Sequence, residues 1–179
     1  EVFLDPDTAH PQLVLSQDCG SVRWGETWQN LPNSLKRFEH SFCVLGQEGF
    51  TEGRHCWEVE GEVGEEPRWA IGVATESLKR KGTIYLKPEE GIWAVQQKKG
   101  RLEALTDPHN PLSLFPVPKR IWVVLDCTLK HVTFVNADNG ANIFMFASLS
   151  FLGGKIYPWF WVEKGEVRVC PKASTFPTS

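Results

Sequence analysis

Along most of this chain hydrophobic residues recur at every second position in short runs, the spacing of β-strands with one buried face. In "RHCWEVEG" (54–61) Trp57 and Val59 fall on one side, and Cys56, Glu58 and Glu60 on the other. In "RWAIGVA" (68–74) Trp69, Ile71 and Val73 share a side. The residues between them, "GEVGEEP" (61–67), have turn composition. These two runs are expected to form a hairpin with an apolar inner face and a polar outer face. Further strands are expected at 11–16, 21–26, 41–46, 91–97, 120–127, 131–137, 142–147, 155–162 and 166–171. Asn139-Gly140 marks a tight hairpin between two of them. The polar stretch 30–40 reads as an irregular link. "ATESLKRKG" (74–82) is the one stretch that could form a helical turn. The segment 106–120 holds four of the twelve prolines and reads as an extended connector short of ladder donors. Short strands at near-regular spacing, without amphipathic helical runs, predict an all-β antiparallel sandwich or barrel.

Composition sharpens this picture. The chain has 179 residues, enough for one domain with a sizeable core. Eight Trp and eleven Phe stand against two Tyr. Each large aromatic enclosed in a core contributes roughly 4–6 kcal/mol before entropy is counted. A net charge of −3 weighs against nucleic acid or an anionic membrane as the main partner. No apolar run approaches the ~18 residues that span a bilayer, so no direct membrane insertion is expected. The absence of a signal peptide and of an initial Met suggests a piece of a longer chain. Five scattered cysteines, odd in number and without a CxxC, fit reduced thiols in a cytoplasmic setting.

Candidate chemistry adds little. His55 and Cys56 are sequence neighbours, and neighbours in a strand point apart. With no second His or Cys at ligand spacing, no metal is expected. The five carboxylates between 58 and 66 belong to a strand face and a turn. There is no GxSxG, no GxxxxGK[ST] and no GxGxxG, and "FLGGK" (151–155) is a two-glycine turn before a strand. The five histidines, at 10, 40, 55, 109 and 131, sit in no catalytic motif. The expectation is a non-enzyme that needs no cofactor.

Longer motifs carry a family resemblance. "LDPDTAHPQLVLS" followed by "VRW" resembles the PRY segment. "RFEHSFCVLGQEGFTEGRHCWEVE", "WAIGVATESLKRKG", "EEGIWAV", "LDCTLKHVTFVNADNGANIFMF" and "YPWFWVEKGEVRVCP" resemble successive SPRY blocks. The chain is similar to PRY–SPRY domains of the tripartite-motif and butyrophilin kind. The resemblance implies a bent β-sandwich of two antiparallel sheets with little helix. It implies a single domain over 1–179, with PRY at about 1–47, SPRY at about 48–172 and a frayed tail at 173–179. It also implies a protein- or peptide-binding module, monomeric in isolation, at the C-terminal end of a larger protein. In tripartite-motif proteins that protein is a RING ubiquitin ligase. A butyrophilin-like receptor with a ligand-sensing cytoplasmic domain, or a secreted stand-alone domain, are the other hosts. Cys56, Cys127 and Thr128 depart from the family pattern and read as packing variations, with a thiol at a strand end that could be exposed.

In this family ligands meet a shallow pocket on one sheet, walled by loops that correspond to 35–41, 61–68, 77–85, 96–103, 107–111 and 161–166. Motif register carries the pocket positions onto Tyr85, Gln96, Lys98, Glu103, His109 and Trp161, with Ala70 beside them. Butyrophilins that sense phosphorylated small molecules line this pocket with Lys, Arg and His. A neutral His and a carboxylate do not balance a pyrophosphate. The antibody-binding tripartite-motif protein has tryptophans at the places of Gln96 and Lys98. A mixed aromatic and polar pocket suits a peptide or protein loop instead. In "YPWFWVE" alternation puts Tyr157, Trp159 and Trp161 on one face. Trp159 is expected in the core and Trp161 exposed as an anchor. "LKRKG" (78–82) reads as a solvated turn, or as a basic patch that steers an acidic partner.

Overall fold

The computed structural model describes residues 1–152 and 154–170, so the tail expected at 173–179 lies outside the described residues. Thirteen strands form among the described residues: β1 (Leu13–Leu15), β2 (Ser21–Trp24), β3 (Cys43–Leu45), β4 (Arg54–Gly61), β5 (Arg68–Thr75), β6 (Ile92–Lys98), β7 (Arg101–Ala104), β8 (Asn110–Leu112), β9 (Arg120–Asp126), β10 (His131–Asn136), β11 (Asn142–Phe146), β12 (Ile156–Glu163) and β13 (Glu166–Val169). They make two antiparallel sheets, in the order β1-β2-β13-β4-β9-β10-β11 and β3-β12-β5-β6-β7-β8. The period-two positions meet between the sheets. Trp57 and Val59, Trp69, Ile71 and Val73, Trp93 and Val95, Val123 and Leu125, Phe134, and Phe160 all join one core.

Four expectations from the sequence need correcting. First, β4 and β5 are not a hairpin: β4 pairs with β13 and β9, whereas β5 pairs with β12 and β6. Turn composition at 61–67 marks a reversal of direction but not whether the chain stays in its sheet. Here it crosses between sheets and is pinned there. The fully buried Gln97 side chain accepts from the Gly64 and Gly100 N–H groups, each at 3.0 Å, and donates to the Pro67 carbonyl at 2.7 Å. The Trp69 indole donates to the Glu62 carbonyl at 2.8 Å. Second, 74–82 holds the end of β5 and a turn rather than a helical turn. Helix among the described residues is limited to one 3-10 turn, Pro88–Glu90. Third, the proline-bearing connector contains β8, which pairs with β7. Pro111 is tolerated because β8 is an edge strand with no neighbour needing its missing donor. Fourth, 78–82 is not simply solvated. Arg80 donates to the Lys36 carbonyl at 2.6 Å, and Lys81 to the carbonyls of Ser34 and Arg37 at 3.0 and 3.1 Å. These bonds fasten the two loops to each other.

The fastened loops cover a second core, on the outer face of the six-stranded sheet. After Arg68 at its start, the outward positions of β5 are Ala70, Gly72 and Ala74, so nothing larger than a methyl group stands along the rest of the strand. Trp159 of β12 pairs with Gly72, which pairs with Ala94. The indole lies over this shelf fully buried, among Phe38, Leu78 and Ile84 from the covering loops. Cys43, in the same outer core, is fully buried, and that burial pushes its thiol up. Trp159 is therefore core as expected, but in this outer core rather than between the sheets.

Gly72→Ala should unfold this arrangement. A Cβ there would lie 2.1 Å from the Trp93 carbonyl oxygen and 2.7 Å from the Ala94 Cα, both backbone atoms. The expected loss is about 3 kcal/mol or more, read as a lowered urea midpoint. An unshifted midpoint would mean that β5 and β6 separate freely.

Candidate functional site

Strand register lines up one row of side chains across the outer face of the six-stranded sheet. Cys43 pairs with Trp161, Trp161 with Ala70, Ala70 with Gln96, Gln96 with Glu103, and Glu103 with Pro111. Two residues further along each strand, on the same face, stand Glu163, Arg68, Lys98 and Arg101. Because Ala70 is small, the Arg68 side chain folds over it. The guanidinium lies 5.0 Å from the Trp161 ring centroid. Its Nε donates to Gln96 Oε1 at 3.4 Å, and one terminal nitrogen donates to Glu163 Oε1 at 3.4 Å. The Gln96 amide donates to Glu103 Oε1, which also lies 3.1 Å from His109 Nδ1. Glu163, Arg68, Gln96, Glu103 and His109 thus form a continuous polar ribbon beside the Trp161 ring. Gln96 is 2% exposed, so its amide is held from both ends. Glu103, Glu163 and Arg68 are each partly open to solvent.

Of the positions expected from the sequence, Gln96, Glu103, His109 and Trp161 come together in this ribbon. Lys98 is exposed on the same face, one row along. Tyr85 does not join. It is 59% exposed on the covering loop, with Lys79 Nζ 5.9 Å from its ring, while its neighbours Ile84 and Leu86 turn into the outer core. Trp161, expected exposed, is half-buried because Arg68 lies on one face and Phe42 meets its edge at 5.9 Å. Arg68 and Glu163 fall within the expected walls 61–68 and 161–166, but the sequence did not single them out. The period-two rule could have found them, two residues from Ala70 and from Trp161 on the same face.

The other candidate chemistry resolves into packing. The His55 ring stacks on Phe50 at 3.8 Å, and its Nε2 lies 2.7 Å from the Glu52 carbonyl oxygen. Glu58, expected on a polar outer face, is nearly buried. It accepts the Trp122 indole N–H at 2.8 Å, with Arg120 at 3.9 Å. Burial first, and Glu58 second, push the neighbouring Cys170 thiol up to about 11. Cys127, expected as an exposable thiol, is buried, and all five cysteines are free. An open cleft of about 570 Å³ lies elsewhere, lined by Leu114, Phe115, Val117, Lys119 and Asp138. Asp138 there is already taken by Arg120 at 2.9 Å, and Phe115 is fully exposed. No helix among the described residues is long and apolar enough to cross a membrane.

Support for Trp161 runs back through an aromatic chain. Phe42 also meets His10 edge-on at 4.9 Å, and His10 meets Trp28 at 5.0 Å. His10 is 1% exposed, and its Nδ1 accepts the Gln12 N–H at 3.0 Å. Burial, helped by the nearby His40, lowers its pKa from 6.5 to about 4. The unfolded chain therefore binds this proton more readily than the folded one. Stability should fall as pH drops through the window from 6.5 to about 4, by on the order of 3 kcal/mol from this group. Urea titrations at pH 7 and 4.5 check this. His10→Gln should narrow the difference between the two pH values, and an equally steep loss in the variant would clear His10 of the effect.

Comparison with known proteins agrees with this architecture. Residues 2–50 match the PRY family, described as the SPRY-associated domain, and residues 54–172 match the SPRY domain. Butyrophilin subfamily 1 member A1 of Homo sapiens is 42% identical over 97% of this chain, of which the chain spans 33%. E3 ubiquitin-protein ligase TRIM15 of Sus scrofa is 46% identical over 91% of this chain, of which it spans 35%. The chain thus spans about a third of the length of these curated relatives. Among solved structures, stonustoxin aligns with a TM-score of 0.79 at 22% identity, covering 95% of this chain and 28% of that one. The TRIM65 PSpry domain aligns with a TM-score of 0.76 at 20% identity, covering 96% of this chain and 90% of that one. At these identities the two structures share the fold.

Proposed function

This chain belongs to the PRY–SPRY family, and on that premise we propose that it is a non-catalytic recognition domain that binds a protein or peptide on the outer face of its six-stranded sheet. The observation that carries the reading is the ribbon itself. A nearly buried glutamine amide, two partly open carboxylates, a guanidinium and an indole are held in place before any partner arrives. Groups fixed in advance lose little freedom on binding. An indole beside unspent donors and acceptors suits a peptide backbone or a loop. The host we favour is a tripartite-motif ubiquitin ligase in the cytoplasm, with this domain choosing the substrate. Support comes from the relative named as an E3 ubiquitin-protein ligase and from the five free thiols.

The match to butyrophilin subfamily 1 member A1 favours a second reading, a receptor tail that senses a small ligand. Glu103 and Glu163 weigh against a phosphorylated one, since both would face the added negative charge.

Affinity capture with the domain, followed by titration of the captured protein, tests the reading. Trp161→Ala and Glu103→Ala should each weaken binding by about 1–3 kcal/mol, with the circular dichroism spectrum unchanged. Full binding by both variants would move the site elsewhere. Calorimetric heat on adding phosphorylated metabolites alone would favour the receptor.

A further inference from the structure

The ribbon ends in positive charge that the fold leaves unused. Lys98 and Arg101 are direct cross-strand partners at the closed end of the β6–β7 hairpin. Arg68 stands on the adjoining strand, two residues from Ala70, just as Lys98 stands two residues from its partner Gln96. Strands in a sheet are about 4.8 Å apart, so the three cations leave one face within about 10 Å of each other. Lys98 and Arg101 are exposed, and neither makes an ion pair or side-chain hydrogen bond to another residue among those described. Arg68 gives its Nε to Gln96 and Nη1 to Glu163, which leaves Nη2 for a ligand.

Like charges set opposite each other across a ladder are destabilising. Elsewhere this chain avoids them. Glu60 pairs with Arg120 and with Arg168, Glu166 with Arg23, and Arg54 with Asp126. The hairpin turn explains only its own two residues, Lys99 and Gly100, at φ of 54° and 74°. It places no demand on the charge at 98 and 101. The nearest segment, 62–67, touches the turn through the Gly100 N–H on the Gly64 carbonyl at 2.9 Å, yet its Glu65 and Glu66 remain exposed and make no ion pair with these cations. A cross-strand cost without an internal return marks a place where function has overridden stability.

We propose that Arg68, Lys98 and Arg101 anchor a carboxylate side chain of the partner, so that the segment bound along the ribbon is acidic next to the residue that meets Trp161. This inference rests on the recognition reading above. A singly charged carboxylate fits better than a phosphate, because Glu163 and Glu103 flank the triad and repel a dianion more strongly. The chain's net charge of −3 also makes a local basic anchor the natural place for an acidic segment to land.

Selection of random dodecapeptides displayed on phage against the immobilised domain tests the anchor. Wild type should enrich Asp or Glu at one fixed position. Lys98→Glu combined with Arg101→Glu should select Lys or Arg there instead. A synthetic peptide from the wild-type selection should bind the double variant at least about tenfold more weakly, and its wild-type affinity should fall with salt. Peptides that depend on Trp161 and Glu103 but show no acidic enrichment, or bind the double variant equally well, overturn the anchor and leave the recognition reading standing. A phosphoserine in the acidic position that binds far more tightly than Asp or Glu overturns the carboxylate assignment. A selection with no peptide sensitive to Trp161→Ala or Glu103→Ala overturns both the anchor and the recognition reading.

Discussion

The outward face of β5 is almost bare, and most of the molecule follows from that. Ala70, Gly72 and Ala74 leave a shelf of backbone and methyl groups in the middle of the six-stranded sheet. Trp159 fills the shelf at one level and the Arg68 side chain at the next. Were any of these positions large, the indole would be lifted off the sheet and the loops carrying Phe38, Leu78 and Ile84 would lose their floor. Close packing makes such a change costly, since an interior cannot stretch to admit it.

The same sheet therefore has two kinds of face. Its inner side holds Trp69, Trp93 and Phe160 against the seven-stranded sheet and supplies the bulk of the buried area. Its outer side is apolar and covered at one end, polar and open at the other. The covered end gives the open end its rigidity. Lys81 and Arg80 tie the loops together, Arg37 reaches the Ala9 carbonyl at 2.8 Å, and His10 holds Phe42 against Trp161. A surface built on strands and braced in this way keeps its donors and acceptors aimed.

Alternation along the chain was enough to place most strands and the inner core, because a period of two survives without knowledge of neighbours. Trp57 and Trp69 were legible for that reason. Which strands would pair was not. The residues 61–67 look the same whether the chain turns within a sheet or crosses to another, and the deciding bonds come from Gln97, thirty or more residues away. β8 was hidden because prolines argue against a strand unless it is known to be an edge. Family register pointed to Gln96, Glu103, His109 and Trp161, which lie together, yet it could not foresee that Gln96 would be buried or that Arg68 would lie across Trp161. Both depend on how long side chains settle over a small neighbour, which no local pattern records. Tyr85 stands apart from the ribbon for the converse reason: register fixed its place in the loop but not its outward turn.

The central claim is that the open end of the outer face is where a partner is held. Hydrogen–deuterium exchange of the domain with and without its bound partner measures this directly. Slowed exchange over 96–103 and 161–163, with 113–119 and 137–141 unchanged, is the expected pattern. Protection confined to 113–119 and 137–141, around the separate cleft, with 96–103 exchanging as in the free domain, would contradict the account.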